Sequence, residues 1–142
     1  MKTKRKVYSY ITRGKQLLVM EHPFSPEAGI QVPGGTIEPN EDPAHAAIRE
    51  AEEETGLKSF QLVSLLGEQV RDMRDYDKHE WHHRYFFHLI YDGGTPPRWR
   101  HTETTPSEGE QAHIILEFYW VDLSKKLPKL IAELDFFLKD CL

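Results

Sequence analysis

The sequence predicts an α/β (α+β) fold, and three observations carry that expectation. Several runs read as strands, and residues 81–91 and 112–122 alternate between two faces with period two. One stretch, residues 43–55, has helical periodicity with a start signal and a stop signal. A second apolar pattern at helical spacing follows Pro128.

The elements follow in order. Residues 4–12, KRKVYSYIT, read as a strand. Gly14 marks a turn, and residues 16–22, QLLVMEH, read as the hairpin partner. Residues 23–29 form a loop, and residues 30–33 read as a short strand feeding Gly34-Gly35, where two glycines permit close backbone approach. Residues 60–70 read as a strand bent at Gly67, and residues 71–80 as a polar loop. Residues 81–91, WHHRYFFHLIY, read as a long strand. Alternation puts His83, Tyr85, Phe87 and Leu89 on a core face. His82, Arg84, Phe86, His88 and Ile90 go on the other face, read first as ordinary half-exposed strand residues, with cations and aromatics meeting a phosphate or a base as the alternative.

Residues 92–111 read as a long polar loop, of the kind that is functional or mobile in a compact domain. In it Arg98, Trp99 and Arg100 suit stacking on a base and gripping phosphate, with Trp99 equally suited to anchoring the loop. Residues 112–122 read as a strand with Ile114, Leu116, Phe118 and Trp120 on one face. From Pro128 a final helix would bury Leu130, Ile131, Leu134, Phe137, Leu138 and Cys141.

Composition narrows the class. The chain has 142 residues, 39% hydrophobic and 29% charged, which suits one globular domain over 1–142 with a real core. Its formal net charge of −5 implies no general nucleic-acid affinity. Lys2, Lys4, Arg5 and Lys6 make the start basic, a soluble lead-in to the first strand or a phosphate-attracting tail. The one cysteine, Cys141, permits no intramolecular disulfide and suits a reducing cytoplasm. No secretory signal pattern follows the basic start, and nothing approaches an apolar run long enough to span a membrane.

The helix carries the chemistry. Asp42 suits the N-cap, Pro43 the first helical position and Gly56 the residue past the last turn. Ala44, Ala47, Ile48, Ala51 and Thr55 fall on one small apolar stripe. Glu50, Glu53 and Glu54 share another arc, while Glu52 points away into solvent. Such crowding opposes a plain helix. Like charges at i,i+4 cost about 0.2–0.5 kcal/mol per pair, and acids in the last turn oppose the macrodipole by about 0.3–1 kcal/mol each. A hard divalent cation removes both penalties, and carboxylates without Cys or His suit Mg²⁺ or Mn²⁺ better than Zn²⁺. The competing reading is a solvated acidic face.

The spacing decides between the two. Gly35, five residues, Glu41, seven residues, Arg49-Glu50, an apolar residue, any residue, Glu53-Glu54, any residue, Gly56 and an apolar residue: this resembles a complete Nudix box, preceded by the similar run Val32-Pro33-Gly34-Gly35. Ala51 stands where the family more often has a larger aliphatic residue. The resemblance implies an α/β/α sandwich with a mixed sheet between helices. It also implies a pyrophosphohydrolase that needs Mg²⁺ (or Mn²⁺) and cleaves the diphosphate linkage of a nucleoside diphosphate derivative or nucleoside triphosphate.

By the same resemblance the Gly35 carbonyl, Glu50, Glu53 and Glu54 hold metal, and Arg49 orients a box glutamate. Glu41 braces the loop, and Glu53 or Glu54 is the first choice of general base. Glu103, Glu108, Glu110 and Glu117 remain candidates for that base. Arg84 and Trp99 are candidate substrate-binding residues, the partner is a small-molecule nucleotide, and paired copies are common in families of this type. A non-catalytic nucleotide-binding or regulatory module of the same fold is the alternative. The intact Arg49, Glu50, Glu53 and Glu54 set weighs against it.

One further pattern competes. His79-Glu80-Trp81-His82-His83 satisfies H-E-x-x-H, which binds zinc only from a helix. On a strand, His79 and His83 stand roughly 13 Å apart at about 3.3 Å per residue, too far for one ion. A structural role is expected instead.

Overall fold

A computed structural model describes residues 1–103 and 113–142. The hairpin of β1 (Lys2–Arg13) and β2 (Gln16–Glu21) turns at Gly14, whose φ is +60°. The two strands pair only at Thr12↔Leu17 and Arg13↔Gln16 and then diverge. The chain before the helix fills that gap. Pro33 O accepts from Ser9 N, Gln31 and Met20 exchange both backbone bonds, and β3 (Gly34–Thr36) pairs antiparallel with β1.

On the outer side of β1 lies β5 (Glu80–Ile90), parallel to it from Lys2↔Glu80 to Thr12↔Ile90. Next comes β4 (Gln61–Asp72), antiparallel, with irregular register on either side of Leu65 near the expected bend. On the other side, β2 pairs with β7 (Ile114–Asp122), and β7 with β6 (Arg98–Glu103). The order β4-β5-β1-β2-β7-β6 makes a mixed sheet.

Helix α1 (Pro43–Thr55) covers one face. Its Ala46, Ala47 and Ala51 pack with Val7, Ile11, Leu18, Phe87, Leu89, Leu116 and Phe118. Small residues let the helix lie close, so the alanine at position 51 suits this packing. The opposite face, with Tyr10, Leu17, Val19 and Phe86, is covered by Leu130, Leu134 and Leu138. Both faces of β5 are therefore covered, and His82, Arg84 and Phe86 are more deeply buried than the half-exposed face expected of them.

Two expectations are corrected. The C-terminal stretch is not an α-helix; it forms 3-10 turns at Ile131–Glu133 and Leu138–Cys141. Ala132 and Glu133 take positive φ, +53° and +59°, which breaks a right-handed helix. Long-range bonds hold them there: Ala132 O accepts from Arg84 Nη1 at 2.6 Å, and Ala132 N donates to the Tyr76 hydroxyl at 3.1 Å. The helical spacing of Leu130, Leu134 and Leu138 still marks buried residues. Second, Arg98–Glu103 lies within the segment read as a loop, yet it is an edge strand. Its inward residues are Trp99, His101 and Glu103, so its alternation is not one of plain hydropathy.

Candidate active site

The site is built where α1 ends beside β3 and β6. Asp42 caps the helix by accepting from Ala44 N at 2.8 Å, and Gly56 ends it in the left-handed region with φ +76°. A Cβ on Gly56 would also fall 2.7 Å from the His101 ring. His101 in turn donates from Nδ1 to Glu54 O at 2.9 Å, since a carbonyl can only accept. Trp99 donates from its indole nitrogen to Thr55 O at 3.3 Å and stacks on Phe118 at 5.4 Å. Edge strand β6 is thus bonded to the last turn of the helix.

The buried arc of α1 is rotated from the expected stripe toward the acids. Glu50 and Glu54 are buried, while Ala44 and Ile48 are only partly so. Glu50 lies against the Gly35 backbone, where a Cβ on Gly35 would sit 2.3 Å from the carboxyl carbon. Its Oε1 accepts from Arg49 Nη1 at 2.9 Å, whereas the buried Oε2 has no partner among the described residues. Burial is the main reason the Glu50 carboxyl is pushed up to about 7, against the pull of Arg49.

Arg49 is the organising cation. It grips Glu41 through Nε at 2.7 Å and Nη2 at 2.8 Å, reaches Glu53 Oε2 at 3.3 Å, and donates to Thr36 O at 3.2 Å. Glu41 also accepts from Glu38 N at 2.9 Å. The side-chain bonds to Arg49 hold the Glu41 carboxyl down at about 2 and push the guanidinium pKa up. One arginine therefore clamps the loop before the helix and fixes two acids on the helix.

Among the described residues, oxygens of Glu50, Glu53 and Glu103 come within 4.8 Å of one another. This trio differs from the one expected on the helix alone. Glu54 is directed to the loop, accepting from Gly34 N at 2.6 Å, and Glu103 takes the third place from β6. Glu103 stood in the sequence only as one of several acids; its inward position on a strand opposite the helix end was the missing signal. Glu52 pairs with Lys58 at the surface, as expected. An unpartnered, buried carboxylate oxygen beside two further acids fits a hard divalent cation, which takes all-oxygen ligands. These residues would hold such an ion.

The remaining candidates are sorted by position. Glu117 lies on the face of β7 turned away from α1 and the acid trio, bonded to Arg98 at 2.7 Å and Arg100 at 3.0 Å. Glu108 and Glu110 fall outside the described residues. Arg84 lines a cleft of about 390 Å³ together with Glu54, Glu103, Gly34 and Gly35. Trp99 is engaged with the helix end instead. The H-E-x-x-H residues lie on or beside β5, where His82 Nε2 meets Glu80 at 2.7 Å and His83 meets Glu68 at 2.8 Å. No zinc-peptidase arrangement is formed. No described helix is long and apolar enough to cross a membrane.

Comparison with known proteins bears on the fold that carries this site. The chain resembles the ORF135 protein of E. coli, with TM-score 0.66 and 24% identity over 98% of this chain and 88% of that one. It resembles a MutT NUDIX hydrolase from Burkholderia pseudomallei, with TM-score 0.59 and 18% identity over all of both chains. It also resembles the Ap4A hydrolase of C. elegans, with TM-score 0.56 and 17% identity over 86% of this chain and 82% of that one. These likenesses are of fold. No curated protein matches. The model of the NUDIX domain matches residues 2–138, nearly the whole chain, so the protein belongs to the Nudix hydrolase family.

Proposed function

We propose that this chain, as one domain over its whole length, is a Mg²⁺- or Mn²⁺-dependent hydrolase. Its reaction is cleavage of the diphosphate linkage of a nucleoside diphosphate derivative or nucleoside triphosphate. The observation that carries this reading is the buried Glu50 Oε2, which has no partner among the described residues and is grouped with Glu53 and Glu103. A divalent cation held by these acids and the Gly35 carbonyl supplies charge neutralisation at a phosphoryl oxygen and a more acidic water.

The chain's own residues do the rest. Arg49 orients Glu50 and Glu53, and Glu41 fixes Arg49. Glu54 stands on the cleft wall outside the trio, oriented by the Gly34 N–H, and serves as the base that takes the water proton. Glu53 would hold the cation together with Glu50 and Glu103. Attack at phosphorus breaks one P–O bond of the anhydride, and each product leaves with a phosphate.

Name-bearing relatives support the substrate class without narrowing it: one similar structure is a UDP-X diphosphatase and another an Ap4A hydrolase. The test is a screen of diphosphate-containing nucleotides with products identified, with and without Mg²⁺. Cleavage at the anhydride that requires the cation is expected. Anhydride cleavage that persists undiminished in chelator, or no cleavage of any member, contradicts the proposal.

A further inference from the structure

The same cleft has a second chemically unusual wall. His82 and Arg84 project from one face of β5 and line the cleft, although they are 2% and 1% exposed. Each carries a buried polar atom without a partner among the described residues: His82 Nδ1 and Arg84 Nε. Unsatisfied buried polar atoms are rare and costly, so two side by side on a cleft wall point to a ligand.

Their chemistry specifies what that ligand presents. His82 Nε2 faces the Glu80 carboxylate, which only accepts, so the proton is on Nε2 and Nδ1 holds a lone pair. Burial keeps the imidazole neutral, holding it down to about 4. Arg84 Nε is a donor. Its other contacts are neutral: Ala132 O at 2.6 Å, Gln69 Oε1 at 3.4 Å, Met73 Sδ at 3.7 Å and the Tyr8 ring at 5.4 Å. A phosphate would suit the guanidinium but not the lone pair beside it. A nucleobase edge offers an acceptor and an N–H donor together.

The placement also fits. In register across the sheet, Arg84 neighbours Lys6, and Lys6 neighbours Thr36, next to Gly35. Two strand spacings separate Arg84 from β3, about 10 Å at about 4.8 Å each. That distance suits a nucleotide with its base at Arg84 and its phosphates beside Glu54 and Glu103. The cleft reaches both ends because β1 and β2 diverge beside β3.

We propose that His82 and Arg84 read the nucleobase of the substrate, His82 Nδ1 accepting from a base N–H or amine and Arg84 Nε donating to a base carbonyl or ring nitrogen. This rests on the nucleotide reading of the cleft given above, and its test needs no turnover.

Equilibrium binding of nucleoside 5′-monophosphates is measured against ribose 5-phosphate, which lacks the base. The wild-type protein is expected to bind at least one nucleoside monophosphate about tenfold or more tighter than ribose 5-phosphate, the scale of one or two buried hydrogen bonds. In His82→Phe and Arg84→Lys that advantage collapses, while ribose 5-phosphate affinity stays within about twofold. In ¹⁵N spectra of the wild type, the His82 Nδ1 resonance moves on adding the preferred nucleotide and not on adding ribose 5-phosphate. No preference for any base-bearing ligand in the wild type overturns the proposal, even if the variants do not fold. Equal weakening of both ligands in folded variants also overturns it, assigning the pair to phosphate or structure. A base preference without any phosphate release upholds this inference and sinks the hydrolase reading.

Discussion

Gly35 and Glu50 fit against each other with no room for a methyl group: a Cβ on Gly35 would sit 2.3 Å from the Glu50 carboxyl carbon. The glycine is needed here for space, because its φ is not in the left-handed region. Gly35→Ala must push Glu50 aside. The expected outcome is a loss of Mg²⁺ affinity by about tenfold or more, the scale of misplacing one metal ligand or its support. Calorimetric titration of Mg²⁺ into the folded variant checks it.

Arg49→Lys keeps the charge and removes the planar fork. The Nε and Nη2 bonds to Glu41 and the Nη1 bond to Glu50 cannot all be made by one ammonium. A drop of about 10- to 100-fold in kcat is expected, with KM changed far less, because the arginine acts through the acids. Steady-state kinetics on the substrate found by the screen decide it. A change confined to KM would place Arg49 on the substrate instead.

Glu50 makes stability depend on pH and metal together. Its folded-state pKa of about 7 is raised above an unfolded value near 4.3, mainly by burial. The folded state holds the proton longer, so this contribution is fully present below about pH 4.3. It is lost as pH rises through about 7. Without metal, this group therefore makes the protein less stable at pH 8 than at pH 5. Bound Mg²⁺ favours the ionised form and should raise Tm more at pH 8 than at pH 5. Melting curves at both pH values, with and without Mg²⁺, read the difference.

Much of this site was legible in the chain. Asp42, Pro43 and Gly56 set the helix limits at the residues where the structure has them, because capping chemistry is local. The crowding of Glu50 and Glu53 beside Arg49 was legible for the same reason. Glu103 was not, since its place in the trio depends on β6 pairing with β7 in the register Glu103↔Ile114. The strand itself was masked by its polar inward face, where His101 is spent on Glu54 O and Glu103 on the acid group. The final helix failed for a similar cause. Its apolar spacing was right, but Arg84 and Tyr76 bond Ala132 in a conformation no helix allows.

Trp99 gives a clean test between its two expected roles. Its indole N–H bonds Thr55 O and its ring stacks on Phe118, so it fastens β6 to the helix. Trp99→Phe keeps an aromatic ring and loses the hydrogen bond. A destabilisation of about 1 kcal/mol is expected, with KM unchanged. A KM rise of about tenfold would restore Trp99 as a substrate contact.

Magnesium-dependent phosphate release by the wild type and by Glu53→Gln, with folding of both verified by circular dichroism, tests the central claim most directly. The substitution keeps the shape of the side chain and removes the charge that would hold the cation. A fall in kcat of about 100- to 1,000-fold is expected, the scale of losing one preorganised electrostatic contact, with the fold intact. Equal rates in the two proteins would contradict the account.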